Sequence, residues 1–266
     1  MSEKRTPRLL TATPEEIAAG KVTDVYFLRT REILLARGIR KQVRAEILVK
    51  SFPRSWPWAI MSGLEEVLEI LEGRPVTVRS IPEGSPFRTY TPVLEIAGDY
   101  LDFGILETAV LGCLCQASGI TTAAARCVKL AEGRPVISFG ARRMHPALAP
   151  LVERCAYIGG CSGVAAVKSA EVLGIEPTGT IPHALVILMG DSVQATMAFN
   201  EIIDARVPRV ALVDTFGDEK FESMAVAEAL GKDLYGVRLD TTSSRRGDFA
   251  RILEEVRWEL DLRGHG

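Results

Sequence analysis

Chemistry in this sequence is most legible at Gly179-Thr180-Ile181-Pro182-His183, where one of only three histidines follows a short run of β-prone residues. An imidazole at a strand tip suits a nucleophile, a phosphate acceptor or a general base. The bland alternative is a loop histidine satisfied by hydrogen bonds. Arg142 and Arg143 follow Phe139-Gly140, and paired guanidinium groups offer planar forks to a phosphate or carboxylate. Phe139 adds an aromatic face or a core side chain. Asp214 and Asp240 each close an apolar run. Arg238 stands two residues before Asp240, so on a strand the two share a face. Carboxylates there suit Mg²⁺ held through water, or the capping of a following helix. Thr241 opens a hydroxyl-rich, basic stretch that runs to Asp248. Gly159-Gly160-Cys161-Ser162-Gly163 lets backbone N–H groups, with Ser162, approach an anion. Cys161 lacks a histidine nearby in sequence, and His145 and His265 have no partners at metal-ligand spacing.

These positions imply elements to hold them. Thr13-Pro14-Glu15-Glu16 reads as a capped helix start after a flexible arm over residues 1–12. A second helix follows Asp24 and stops at Gly38. Residues 42–50 alternate as a half-buried strand, 60–71 have helical spacing, and 76–81 and 92–97 read as strands around a Pro/Gly turn. This part is expected to be α+β. Residues 99–132 form a long helical region whose glycines would let other backbones approach, with a break near Gly119 or Thr121-Thr122. Beyond it, strands are expected near 136–139, 156–159, 177–181, 209–214 and 235–240, separated by helical patterns. Repeated strand, polar tip and helix predicts parallel βα units. The expected fold class is α/β. It comprises an N-terminal α+β sandwich domain over 1–120 and an incomplete parallel α/β barrel over 121–266. Five units are too few for a closed barrel, so a chain cut short at its C-terminus is expected.

Composition narrows the class. Of 266 residues, 47% are hydrophobic and 25% charged, a globular balance. A formal charge of −2 gives no case for nucleic acid or an anionic membrane surface. Five cysteines without a C-x-x-C pair read as buried free thiols. No run of membrane-span length is expected, and the chain is expected to be cytoplasmic.

Thr23-Asp24-Val25-Tyr26, Phe139-Gly140-Ala141-Arg142-Arg143, Gly179 to His183, Leu212 to Phe216 and Val237 to Thr241 together, in this order, resemble nicotinate phosphoribosyltransferase of the type II group. The resemblance implies nicotinate, phosphoribosyl pyrophosphate and ATP as substrates, Mg²⁺ as cofactor, and a homodimer with shared sites. His183 would be phosphorylated from ATP. Asp214 and Asp240 would lie near the ribose and the Mg²⁺-pyrophosphate. Tyr26, reaching in from a partner subunit, and Phe139 would sandwich the pyridine ring, Arg142 would contact phosphate with Arg143 as its neighbour, and Arg238 would lie near the ring carboxylate. Ser162, Thr180 and Thr241 would line the site. Two alternatives stand beside this reading. One is a quinolinate or other pyridine or base phosphoribosyltransferase, whose site would need more cationic groups and no phosphohistidine. The other is a non-catalytic, shortened remnant that binds ligand or a full-length subunit.

Overall fold

The protein is described here as a computed structural model covering residues 9–265. Most of the arm expected over 1–12 therefore lies outside the described residues. The chain divides into two compact units, Met1–Thr178 and Gly179–Gly266.

In the first unit, α1 (Pro14–Ala18) opens with a capping box. Glu16 N donates to the Thr13 hydroxyl, and Thr13 N to the Glu16 carboxylate. Helix α2 spans Val25–Ala36. Strand β1 (Gln42–Ile47) alternates exposed and half-buried residues, as its sequence predicts. The pair β2 (Ala59–Ile60) and β4 (Pro86–Phe87) is short and antiparallel. Helix α3 (Leu64–Leu71) starts only after Gly63, four residues later than periodicity suggests. Gly63 is left-handed at φ 92°, and a Cβ there would lie 2.7 Å from the Cys113 carbonyl oxygen, so glycine is required. Strands β3 (Val76–Ser80) and β5 (Leu94–Asp99) complete a three-stranded antiparallel sheet of order β1-β5-β3. Met61, Val67, Leu94, Leu106 and Val110 are buried in the core beneath it.

After α4 (Tyr100–Phe103), a 3₁₀ turn at Gly104–Leu106 precedes α5, which runs unbroken from Glu107 to Leu130. The expected break at Gly119 is absent, because an exposed helical glycine costs only about 1 kcal/mol and neighbouring turns carry the hydrogen bonds across it. Contrary to expectation, Tyr100–Leu130 is long and apolar enough, at mean hydropathy 1.5, to cross a membrane. Its buried residues Ala109, Val110 and Leu114 belong to the core described above, the pattern of a central core helix. The close backbone approaches fall on partners of α5 rather than on its own glycines. A Cβ on Gly159 would lie 2.7 Å from the Thr121 carbonyl oxygen, whereas Gly112 and Gly119 face open space.

Strands β6 (Ile137–Ser138) and β7 (Gly163–Val164) pair in parallel. The strand expected at 156–159 is instead the end of α6 (Ala149–Ile158). Buried Val152, Cys155 and Ala156 follow helical spacing there, and the two-residue run Tyr157-Ile158 cannot override it. Helix α7 (Val167–Leu173) follows, and the fully buried Glu153 accepts from the two amides just before it, Ala165 N at 3.3 Å and Ala166 N at 2.9 Å. The strand expected over 177–181 does not form. Thr178 makes one rung to the Val164 carbonyl at 2.8 Å, and Pro177 and Pro182 carry no N–H to extend the ladder.

The second unit contains α8 (His183–Met189), α9 (Ser192–Ile202), β8 (Val210–Leu212), α10 (Glu219–Leu230), β9 (Gly236–Arg238) and α11 (Phe249–Leu262). Strands β8 and β9 pair in parallel with Leu212 opposite Arg238. Ala211, Val213 and Val226 pack on one side of the pair, while Leu212 joins Ile181, Val186 and Phe199 on the other. A strand clad on both sides is what a continuous apolar run encodes. Arg209, 6% exposed, closes the end of α9, donating to the carbonyl oxygens of Asn200, Ile203, Asp204 and Val207.

Candidate active site

The parallel pair delivers two aspartates to one rim. Val213 N donates to the Arg238 carbonyl at 3.1 Å, so the ladder continues one residue past β8, and Asp214 and Asp240 emerge from the same end of both strands. Asp214, with 4% of its side chain exposed, lies 3.2 Å from His183 Nε2 through Oδ1. His183 itself keeps 40% exposure. It begins α8 rather than ending a strand, so the helix, not a β-tip, aims the ring. Asp214 is not the cap of the following helix, because that place belongs to Asp218, which accepts from Lys220 N.

Arg238 divides its guanidinium fork between two neighbours. One nitrogen donates to Thr180 Oγ1 at 3.0 Å and the other to Asp240 Oδ2 at 2.7 Å. The i, i+2 pairing expected of strand neighbours is therefore realised as a salt bridge, with a quarter to a third of each side chain exposed. Thr241, 9% exposed, donates its hydroxyl to Glu219. The Thr215 hydroxyl, next to Asp214, is buried without a partner, and such an orphan is costly unless a ligand or water meets it. Thr215 carries no signal in the sequence, because a lone threonine has no diagnostic spacing. Glu219 and Glu222 were missed for the same reason.

The remaining sequence-derived candidates belong to the first unit. Tyr26 lies on α2, 56% exposed, with its hydroxyl 3.4 Å from Asp24 and its ring 4.4 Å from that of Phe27. Phe139 is 39% exposed just after β6. Arg142 and Arg143 form the 3₁₀ turn Ala141–Arg143. Ser162 precedes β7 and donates its N–H to Val136 at 2.7 Å, so that amide serves the fold rather than an anion. Burial raises the Cys161 thiol above its ordinary value, which argues against a thiolate nucleophile. Cys115 and Cys127 are exposed, against the expectation that all five thiols are buried.

Among the described residues no group of three or more His, Cys, Asp or Glu side chains is placed to hold a metal ion. The donor set still fits Mg²⁺ arriving with a diphosphate. That ion keeps several waters and takes one or two carboxylates, the ligand type that Asp240 and Asp214 represent on the rim.

Both halves of the chain match the quinolinate phosphoribosyl transferase family models, the N-terminal domain over residues 24–118 and the C-terminal domain over 120–263. A crystal structure of nicotinate-nucleotide pyrophosphorylase from Pyrococcus furiosus is 56% identical, with a TM-score of 0.96, covering 98% of this chain and 67% of that one. Human nicotinic acid phosphoribosyltransferase shares the fold, with a TM-score of 0.72 at 22% identity. A nicotinate phosphoribosyltransferase of Mycobacterium tuberculosis is 28% identical over 92% of this chain, which spans 61% of that relative's length. The family models and the Pyrococcus structure overturn the expected ATP-coupled nicotinate enzyme, and with it ATP as co-substrate, the phosphohistidine and nicotinate as the named partner. The motifs that suggested it are carried by a fold common to both kinds of relative, so they did not discriminate the acceptor. With an N-terminal α+β domain and a C-terminal α/β barrel domain matched across residues 24–263, the chain belongs to the quinolinate phosphoribosyltransferase family.

Proposed function

We propose that the chain transfers phosphoribosyl from phosphoribosyl pyrophosphate to the ring nitrogen of a pyridine carboxylic acid, with quinolinate as the acceptor. The supporting observation is the rim of the β8–β9 pair, where His183 meets Asp214, Arg238 bridges Thr180 and Asp240, and the residue after Asp214, Thr215, carries a buried hydroxyl without a partner. In this reaction the ribose C1–oxygen bond to diphosphate breaks and a C1–nitrogen bond forms. Positive charge develops on the ribose, and preorganised carboxylates beside it lower the barrier. Asp240 and Asp214 take that role, and the Thr215 hydroxyl meets a ribose or phosphate oxygen. Asp214 holds the His183 ring toward the ligand. Arg238, steadied by Thr180 and Asp240, places a fixed positive charge on the rim that attracts a carboxylate of the acceptor. Mg²⁺, when bound, neutralises the departing diphosphate.

The test is diphosphate release and nucleotide formation with phosphoribosyl pyrophosphate, Mg²⁺ and either quinolinate or nicotinate, with and without ATP. Quinolinate-dependent turnover that ignores ATP is the expected result. Turnover that needs nicotinate and ATP, or none with either acid, overturns the assignment.

A further inference from the structure

Two glutamates on the first turn of α10 reach both loops that carry the rim aspartates. Glu219 and Glu222 are three residues apart and therefore share a helix face. Glu222 Oε1 accepts from the amides of Phe216, at 2.9 Å, and of Gly217, two and three residues past Asp214. Its Oε2 accepts from the hydroxyl of Ser192, the first residue of α9, at 2.5 Å. Gly217 leaves the room this needs, since a Cβ there would come within 3.3 Å of Glu222 Oε1. Glu219 accepts from the hydroxyl of Thr241, the residue after Asp240. Leu239 packs against the core beneath β9, and Thr241, two residues on, is itself buried. Without Glu219 the Thr241 hydroxyl would lose its hydrogen-bond partner in a buried setting.

We propose that Glu219 and Glu222 are positioning residues that set the Asp214 and Asp240 loops at a fixed spacing from one helix turn. The proposal rests on the transferase reading. Both carboxylates accept from residues of these loops, Glu222 through its Oε1 and Glu219 through its Oε1. A rigid rim matters because displacing a reacting group by about 1 Å costs on the order of 100-fold in rate.

The experiment pairs kinetics with hydrogen–deuterium exchange on the full chain carrying Glu219→Ala, Glu219→Gln or Glu222→Ala. Each alanine variant should speed exchange over residues 214–217 or 241–247 and lower kcat/KM by about 10- to 100-fold. Glu219→Gln keeps an acceptor oxygen and should restore both readouts to within about threefold of the parent. Unchanged exchange in both loops overturns the proposal, as does a glutamine variant as impaired as the alanine one, since charge itself would then be acting on the ligand. A parent chain that turns over no pyridine acid sinks the transferase reading, while the exchange data still decide whether the two glutamates hold the loops.

Discussion

Asp214 is almost fully covered by protein yet keeps an exposed imidazole on one oxygen, which makes it the residue whose loss should be felt most. Asp214→Asn preserves shape and removes charge, and kcat/KM for phosphoribosyl transfer is expected to fall about 100-fold or more, read in a diphosphate-release assay. Asp240→Asn should cost a similar factor and should also loosen Arg238, which would then have only Thr180 among the two partners described. A variant at either position that keeps parental kcat/KM would remove that aspartate from the reaction. At this scale much was readable before any coordinates. His183, Asp214, Arg238 and Asp240 stand out as polar residues ending apolar runs, and strand alternation alone pairs Arg238 with Asp240. What alternation cannot give is the partner across sequence. His183–Asp214 and Thr180–Arg238 join residues 31 and 58 positions apart, and only the packing of α8 and its leading loop on the sheet brings them together.

Elements are held by charged side chains aimed at helix ends. Glu83 accepts from Gly63 N at 2.6 Å and Leu64 N at 2.9 Å at the start of α3, and from Arg154 of α6 at 2.7 Å. Burial pushes its carboxyl up, but Arg154 and the two amides outweigh that and hold it below the ordinary glutamate range. A depressed folded-state value means that this stabilisation is present above the unfolded value, about 4.3, and is lost as pH falls through the folded one. Glu83→Gln should therefore lose about 2 kcal/mol at neutral pH by urea denaturation and shed less further stability than the parent on acidification. Arg209→Met should cost about 3 kcal/mol or more, because four carbonyl oxygens at the end of α9 lose their shared donor. A thermal midpoint within a degree or two of the parent's would refute that role. The helix start at Thr13 was legible because its cap is local chemistry. The strand misplaced at 156–159 and the one expected at 177–181 were not, because strands of two residues are fixed by their neighbours rather than by their own pattern.

At the scale of the whole molecule, the fold class followed from the alternation of apolar runs with polar tips, while two of the five strands expected after the long helix, and the acceptor, did not. Pyridine acids with one or two carboxylates call for the same aromatic and cationic residue types, so discrimination depends on how many cationic side chains reach the ring and where they stand, which spacing along the chain does not give. Quinolinate and nicotinate competition, read by calorimetry with phosphoribosyl pyrophosphate present, is expected to favour quinolinate by tenfold or more, and a preference for nicotinate would reverse the assignment. The two units also differ in how they can be watched. Arg126 lies 4.2 Å from the ring centres of both Trp56 and Trp58 in the first unit, whereas Trp258, the remaining tryptophan, is already 60% exposed in the second. Indole emission should consequently shift to the red when the first unit melts and stay nearly silent when the second does, giving each half of the chain its own optical signature beside circular dichroism.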